Sequence, residues 1–349
     1  MRAEFHKHTL QFIRPGGTSR GVLTQKDTYL IRLKEGGRWG IGEAAIFRGL
    51  SAEDHPGYED RLQEACDALA SEGEAFTERY RAYPSIVFGL EQAMRSLRGP
   101  EPFELFDTPF LKGAPLPING LIWMGDLSFM EHQVAEKIDA GFTCLKLKIG
   151  ALDFDAELGL LRGIRRRFPP QNLEIRVDAN GAFSPGEALE KLKILSELGL
   201  HSIEQPIAAG QADAMAALCA RTPLPIALDE ELIGCFEPKD KEALLDRIQP
   251  QYIVLKPSLA GGISGSTEWI EAARARRIGW WVTSALESNI GLNAIAQWTA
   301  TLGVHMPQGL GTGALFSNNI ESPLEVSGGR LWYRADKKWD LHQIERICT

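Results

Sequence analysis

Cys144-Leu-Lys-Leu-Lys-Ile149 is a short apolar run interrupted by two lysines, and Ile175-Arg-Val-Asp-Ala-Asn180 is a second run that ends in polar residues. Lys148 of the first run and Asp178 of the second are 30 positions apart (178 − 148). That spacing fits one strand, one returning helix and their loops, which is the repeat of a parallel sheet. The two runs therefore predict neighbouring parallel strands with charged residues at the same edge.

The same alternation of strands and helices extends on both sides of these runs, beginning after Pro117. Amphipathic segments such as 128–140, 185–198 and 264–277 are long enough to be the helices between the strands. The predicted strands are residues 118–123, 143–149, 173–178, 201–204, 225–229, 251–256, 279–284 and about 303–309. Eight such units predict an α/β fold closed into a (β/α)8-type TIM barrel, and an open doubly wound sheet is the alternative that a strand count leaves open.

The residues before the barrel have a different pattern. Residues 29–33 and 39–43 are predicted strands of a hairpin that turns at Glu35-Gly-Gly37. Apolar residues then recur at helical spacing over residues 58–70 and 84–97. This part of the chain is predicted to be an α+β domain.

Pro115 and Pro117 mark the boundary between the two patterns, because proline continues neither a helix nor a central strand. Near the other end, residues 324–332 have a β-like pattern and are expected to return to the first domain. We therefore divide the chain into an N-terminal α+β domain at residues 1–112, a barrel at 113–320 and a C-terminal segment at 321–349.

The composition is that of an ordinary globular protein, with 44% hydrophobic and 24% charged residues among 349 and a net charge of −8. Basic residues are scattered apart from short runs such as 165–167, so nucleic acid is not an expected partner. Neither a signal peptide nor a long apolar run is visible, so we expect a cytoplasmic location without membrane association. The five widely spaced cysteines favour reduced packing residues over disulfides or zinc ligands, and nothing indicates an oligomeric state.

Charged residues interrupt the apolar runs at the C-terminal ends of five successive predicted strands, which is where barrels carry their reactive groups. They are Lys146, Lys148, Asp178, Glu204, Asp229 and Lys256. After the first interval of 30, the intervals are 26, 25 and 27 positions, so each unit places its charge at the same mouth. One charged residue at a strand end is usually a solvated terminus, but five successive strands in register predict a site.

Strand geometry predicts which way these side chains face. Lys146 and Lys148 are two positions apart and so point to the same side, the barrel interior, and the same alternation turns Arg176 inward beside Asp178. Burying two ammonium groups is costly unless anions compensate them. The three carboxylates on the next three strands supply that compensation.

Asp178, Glu204 and Asp229 form an oxygen-only set, which favours Mg²⁺, with Mn²⁺ possible, over zinc or copper. An ion there could polarise a substrate carboxylate, so that a proton on the adjacent carbon becomes removable and an enediolate is stabilised. The predicted partner is therefore a small-molecule carboxylate.

A lysine can accept the proton of that substrate only when it is neutral, and a second positive charge close by, as Lys146 is to Lys148, lowers its pKa. Lys256, across the mouth, could be a second base or a fixed cation.

At these residues the sequence resembles the muconate-cycloisomerase-like branch of the enolase superfamily, which is known for a lysine base working with Mg²⁺. That branch carries Lys-x-Lys on the second barrel strand, Asp, Glu and Asp on the next three, and Lys on the sixth. Gly40-Ile-Gly-Glu43 and Gly309-Leu-Gly-Thr-Gly-Ala314 also look like this branch. The resemblance covers almost the whole chain and implies that the first domain caps the barrel mouth. The substrate-binding residues expected with it are Arg176, Asn180, Ser284, Gly311 and Thr312.

Within the branch, residues 284–291 and 309–316 are similar to the o-succinylbenzoate synthases of menaquinone biosynthesis. This implies a syn-dehydration of a succinyl-substituted hydroxycyclohexadiene carboxylate. Lys148 would remove the proton and help the hydroxide to leave, and Lys256 would stabilise the enediolate. An N-succinylamino acid racemase or a muconate-type cycloisomerase on the same scaffold is the alternative.

Two related activities are disfavoured. Dipeptide epimerases carry an Asp-x-Asp pair where this chain has His305-Met-Pro-Gln-Gly-Leu310, and mandelate-racemase-like members use a histidine base where it has Lys256. The Gly-rich segment 14–20 is expected to be a lid over the mouth, or else a plain turn. The glycines of 309–313 favour a nest for a carboxylate or a tight turn over a nucleotide site, since no P-loop lysine follows them.

Overall fold

The computed structural model describes residues 1–18, 21–72 and 76–349. Three antiparallel strands, β1 (Arg2–Thr18), β2 (Gly21–Glu35) and β3 (Arg38–Ala44), form the N-terminal sheet in that order. The predicted hairpin is confirmed, with Tyr29 opposite Ala44 and Glu35 opposite Arg38. The predicted lid at 14–20 extends into residues 19 and 20, which lie outside the described residues.

Helices pack on one face of this sheet because their apolar residues recur every three or four positions. They are α1 (Tyr58–Glu72) and α3 (Pro84–Arg98), and the short α2 (Phe76–Arg79) between them contacts α1. α3 begins with proline at its first turn, where the missing N–H removes no helical hydrogen bond. It lies so close to β3 that a Cβ added at Gly42 would overlap the carbonyl oxygen of Gly89. Glycine at both positions therefore lets helix and sheet approach.

Gly42→Ala should lower the free energy of unfolding by about 1–3 kcal/mol, because the strand and the helix must separate to admit the methyl group. Gly159→Ala is the matched control, since it lies on an exposed helical face with nothing within 4 Å of an added Cβ. It should be neutral or stabilising by up to about 1 kcal/mol. Urea denaturation of both variants measures the difference, and equal midpoints would contradict the close approach.

The barrel follows as a parallel sheet whose strands are ordered as in the sequence. Its seven strands among the described residues are β5 (Gly120–Ile122), β6 (Cys144–Lys148), β7 (Glu174–Asp178), β8 (Ser202–Glu204), β9 (Ile226–Leu228), β10 (Tyr252–Leu255) and β11 (Gly279–Val282). Gln308 and Gly309 complete the ring through parallel bridges to Ile118 and Thr283. The predicted TIM barrel is therefore confirmed over the open sheet.

The eighth strand is shorter than the predicted 303–309, because only Gln308 and Gly309 pair with neighbouring strands. Gln308 N–H donates to the Pro117 carbonyl at 2.9 Å, and Gly309 N–H donates to the Val282 carbonyl at 2.8 Å. Pro307, just before them, has no N–H to donate, which prevents the ladder from extending backwards through it.

Helices on the outside of the barrel shield its strands. They are α4 (Leu127–Asp139), α5 (Phe154–Arg167), α6 (Pro185–Ser196), α7 (Ala212–Cys219), α8 (Pro238–Ile248), α9 (Pro257–Ala260), α10 (Gly262–Ala275) and α11 (Asn289–Thr301). Capping residues begin several of them: Asp126 accepts from Phe129 N–H, and Ser184 with Glu187 forms a capping box. Because parallel strands bury both faces, most barrel strand residues are apolar, apart from the inward-facing charged residues of β6 and β7 and those at strand ends.

The C-terminal part divides between the two domains. β12 (Leu324–Ser327) and β13 (Arg330–Tyr333) form a hairpin that pairs with β4 (Leu116–Pro117), just before the first barrel strand. The last helix, α12 (Leu341–Ile347), reaches the N-terminal domain, where Ile344 packs in a cluster with Leu30, and Trp339 before it stacks on Phe103. In the part of the chain that the structure describes, no helix is long and apolar enough to cross a membrane.

Candidate active site

The barrel brings the six charged residues predicted from the sequence to one mouth. Lys148, Asp178 and Glu204 lie side by side at the ends of β6, β7 and β8, because the strand register pairs Lys148 with Asp178 and Asp178 with Glu204. Asp229 directly follows β9, and Lys256 directly follows β10. The remaining residue, Lys146, lies two positions before Lys148 on the same face of β6.

Three carboxylates form the centre of the site. Asp178, Glu204 and Asp229 each offer an oxygen atom, and these atoms lie within 4.8 Å of one another. All three side chains are buried, and Glu204 Oε1 has no hydrogen-bond partner among the described residues. Buried carboxylates this close together repel one another unless cations hold them. The oxygen-only set and the unpartnered oxygen fit a divalent cation such as Mg²⁺.

Three lysines surround the carboxylates. Lys146 Nζ donates to Glu204 Oε2 and lies 2.9 Å from Asp178 Oδ2. Lys148 Nζ donates to the same Asp178 oxygen at 2.7 Å, and Lys256 Nζ lies 2.5 Å from Asp229 Oδ2. Three ammonium groups thus balance three carboxylates, which explains how a buried set of six charges is tolerated.

Burial and these ion pairs shift the pKa values in opposite directions. Burial raises the pKa of Glu204 to about 7, although Lys146 acts against that rise. Burial alone would also raise the pKa of Asp178, but the charges of Lys146 and Lys148 outweigh burial and hold it well below its usual range. The pKa values of these two neighbouring carboxyl groups are therefore shifted in opposite directions, upward at Glu204 and downward at Asp178.

Two of the three lysines at this mouth have raised pKa values. They are Lys146 and Lys256. Burial lowers the pKa of each ammonium, but the carboxylates in contact raise it by more, with Asp178 the largest contributor at Lys146 and Asp229 at Lys256. The net rise follows because each ammonium is in direct contact with a carboxylate.

A pocket opens directly above the charged set. Lys146, Lys148 and Lys256 form its floor, together with Asn180, whose Oδ1 accepts a hydrogen bond from Lys148 Nζ at 2.7 Å. The N-terminal domain contributes an apolar wall of Leu23, Phe47 and Leu50. The first domain therefore lies over the barrel mouth, as the resemblance implied.

The pocket's remaining side follows the last two barrel strands. Ser284, Gly311 and Thr312, all predicted to bind substrate, line it, and the two hydroxyl groups of Ser284 and Thr312 are 2.6 Å apart. With Asn180, the structure thus brings four of the five predicted substrate-binding residues to the pocket.

Arg176, the fifth predicted substrate-binding residue, does not line the pocket. Its Nε donates to Glu174 Oε1 at 2.7 Å, and its Nη1 donates to the Pro307 carbonyl at 2.9 Å. The guanidinium also lies 4.5 Å from the centre of the Trp281 ring. Arg176 does face the barrel interior, but it is two residues before Asp178, which places it roughly 6–7 Å deeper. It belongs to the barrel core.

Sequence reasoning missed several pocket residues, among them Leu23, Phe47, Leu50, Asn119 and Trp123. Asn119 interrupts an apolar run, as the charged site residues do, so the same signal could have found it. The apolar members carry no such signal, because a hydrophobic residue at a domain surface cannot be distinguished by sequence from one in the core.

Comparisons with known proteins agree with this geometry. The family described as "Enolase C-terminal domain-like" matches residues 130–336, and the family described as "MenC, N-terminal domain" matches residues 17–97. The chain belongs to the enolase superfamily, whose barrel carries the charged mouth described above.

An o-succinylbenzoate synthase from Desulfotalea psychrophila is 50% identical to this chain, over 95% of this chain and 98% of that protein. An o-succinylbenzoate synthase from Vibrio cholerae is 28% identical over 86% of each chain.

Solved structures of related enzymes are similar to this chain as well. The crystal structure of MenC from Desulfotalea psychrophila superposes with a TM-score of 0.86 at 45% identity, covering 95% of this chain and 99% of that one. Muconate lactonizing enzyme from Pseudomonas fluorescens superposes with a TM-score of 0.82 at 24% identity, covering 99% and 98%. The second likeness concerns the fold alone.

Proposed function

We propose that this chain is a metal-dependent hydro-lyase that makes 2-succinylbenzoate for menaquinone biosynthesis, an o-succinylbenzoate synthase. Its substrate is 2-succinyl-6-hydroxy-2,4-cyclohexadiene-1-carboxylate. The observation that carries the proposal is the pocket floor, where Lys148 and Lys256 lie beside three buried carboxylates. The 50% identical relative of that activity supports the choice of substrate.

Asp178, Glu204 and Asp229 would hold the metal, for which Mg²⁺ is the first choice and Mn²⁺ the second. When bound, the ion would draw electron density from the substrate's carboxylate and so make the proton on the neighbouring carbon more acidic. Lys146 contacts two of the three carboxylates and would keep them oriented while its charge limits their repulsion.

Lys148 would act as the base. Its Nζ, in the neutral form, takes the proton from the ring carbon that carries the carboxylate, and the C–H electron pair moves into the carboxylate as an enediolate. That electron pair then returns to form the ring double bond while the C–O bond to the hydroxyl group breaks. The Lys148 ammonium gives the proton to the departing oxygen, so water leaves and the ring becomes aromatic. A single group can serve both steps because the proton and the hydroxyl group leave from one face.

Lys256 would stabilise the enediolate as a fixed cation. It lies across the pocket floor from Lys148, and Asp229 holds its Nζ at 2.5 Å. An ammonium already in place when negative charge develops needs no reorganisation, which is the basis of electrostatic catalysis. Around it, the apolar wall of Leu23, Phe47 and Leu50 suits the ring and excludes water, and the hydroxyl groups of Ser284 and Thr312 suit the polar succinyl arm.

The proposal extends to organisation and location. Residues 1–112 and 321–349 would form the capping unit around a catalytic barrel at 113–320. A cytoplasmic location is proposed as well, supported by five cysteines that are all free thiols.

A direct assay tests the proposal. Purified protein with Mg²⁺ should convert the cyclohexadiene acid to 2-succinylbenzoate, followed by its aromatic ultraviolet absorbance, and a chelator should stop the reaction until Mg²⁺ is added back. The competing racemase is assayed in parallel as deuterium uptake from solvent into N-succinyl amino acids. Rapid exchange without any dehydration would replace the proposed function with that alternative.

A further inference from the structure

A second set of buried charges lies outside the active site, between the two domains. Lys26 of β2 and Glu43 of β3 come from the N-terminal domain, and Glu287 comes from the loop that follows β11. Their exposed fractions are 7%, 0% and 0%, so all three are taken out of water. Burying a charge in this way is costly unless its partners compensate the lost hydration.

Glu43 joins its domain to the barrel. Within its own domain it accepts a hydrogen bond from Thr28 Oγ1 at 2.7 Å. Across the interface it accepts from Ser288 N–H at 2.8 Å, from Ser288 Oγ at 2.5 Å and from Gly291 N–H at 2.8 Å. These N–H groups belong to the N-terminal end of α11, where a carboxylate is favoured by the helix dipole and by the free donors. Glu43 therefore caps a barrel helix from the other domain.

Glu287 fixes the loop that leads into that helix. Its carboxylate accepts from Ala285 N–H at 2.7 Å and from Ser258 Oγ at 2.5 Å. Leu286 lies between Ala285 and Glu287 and has φ +64°. A leucine rarely adopts this left-handed conformation unless its surroundings hold it. Ser284, Ala285 and Leu286 all line the substrate pocket. The strained loop is thus one wall of the pocket.

Lys26 supplies a positive charge that offsets the negative charges of Glu43 and Glu287. Its Nζ makes no hydrogen bond to any described residue, but its charge attracts Glu43, Glu287 and the neighbouring Asp27. Burial lowers the pKa of Lys26 and raises that of Glu287, as expected for charged groups removed from water. Without this ammonium, two buried carboxylates would face each other across the domain interface.

We propose that Lys26, Glu43 and Glu287 are a positioning cluster through which the N-terminal domain holds the pocket wall of residues 284–286 in its binding conformation. The cluster contacts no reacting atom. This inference depends on the proposed function only because the kinetic test uses the substrate of that function. The cluster makes the affinity for substrate depend on the position of the N-terminal domain relative to the barrel.

The test compares Lys26→Met and Glu43→Gln with a matched control, Glu91→Gln. Glu91 also reaches from the N-terminal domain to a barrel helix, where it accepts from Ile263 N–H at 2.6 Å and Ser264 N–H at 3.1 Å at the start of α10. Neither of those partners lines the pocket. Glu91→Gln should lower the melting temperature yet leave KM and kcat within about twofold of wild type. The two cluster variants should raise KM by about tenfold with kcat within about threefold, the pattern of lost substrate binding.

A double variant separates positioning from general damage. Adding Glu287→Gln to Lys26→Met removes one of the two carboxylate charges, while the amide oxygen can accept from Ala285 N–H and the amide NH2 group can donate to Ser258 Oγ. KM should then return to within about threefold of wild type. A double variant no better than Lys26→Met, or cluster variants that lose stability with unchanged KM, would overturn the proposal. If Lys26→Met does not fold, Glu43→Gln and Glu287→Gln carry the same comparison.

A second measurement needs no substrate, so it separates this proposal from the proposed function. Hydrogen exchange followed by mass spectrometry reports the amides of residues 285–288 directly. They should exchange at least about tenfold faster in Glu43→Gln than in Glu91→Gln, since only the first change releases the loop. Equal protection in these two variants would overturn the cluster's role even if the enzyme has another substrate.

Discussion

Lys148→Ala is expected to lower kcat/KM for the cyclohexadiene acid by about 10³-fold or more, because it removes the group that both takes and returns the proton. The protein should still fold, since Lys146 remains in contact with Asp178 when Lys148 is gone. Steady-state kinetics with matched protein concentrations measure the loss.

Lys148→Arg is the control that separates proton transfer from charge. Arginine keeps a positive charge beside Asp178 but cannot become neutral at working pH, so it should be about as inactive as alanine while retaining more stability. Retention of a tenth or more of wild-type kcat/KM by Lys148→Ala would contradict the assignment of the base.

The second large effect concerns the metal. Addition of Mg²⁺ or Mn²⁺ at about 100 times its dissociation constant should stabilise the wild-type fold by about 2.7 kcal/mol, visible as a raised melting temperature. Glu204→Gln should abolish most of that shift at the same concentration. It removes a charged ligand whose second oxygen has no other partner in the described part of the chain. Activity should fall with it, by about 10²-fold or more.

Glu174→Gln is the matched control for this measurement. Glu174 begins the same strand whose end carries Asp178, and it also faces the barrel interior, but its contacts are with Arg176 and Cys144 instead of the carboxylate set. The metal-induced shift in melting temperature should be unchanged in this variant. An equal loss of the shift in both variants would place the ion elsewhere.

The charged mouth could be predicted from the sequence because strand periodicity fixes two things at once. A parallel barrel brings strand ends together, and alternation fixes which residues face inward, so Lys148, Asp178 and Glu204 follow from spacing alone. Arg176 shows the limit of that argument. Alternation gives the direction of a side chain but not whether its layer is open to the pocket or filled by core residues such as Trp281.

Contacts between distant parts of the chain were beyond sequence reasoning for a different reason. Phe47 lines the pocket and Glu43 caps a barrel helix only because the first domain sits over the mouth, and no local pattern encodes that placement. The eighth strand was overestimated because residues 303–307 have a strand's composition, whereas Pro307 limits pairing to Gln308 and Gly309.

The packing of α12 against the N-terminal domain has a consequence for synthesis in the cell. Ile344 fills a cluster with Leu30 and Ile41, yet it emerges 300 residues after Ala44, the end of the sheet that it covers (344 − 44). At about 5–20 residues per second, translation leaves that apolar patch without Ile344 for roughly 15–60 s. During this interval the nascent sheet presents a surface that a chaperone could bind, and the domain made first is among the last to be completed.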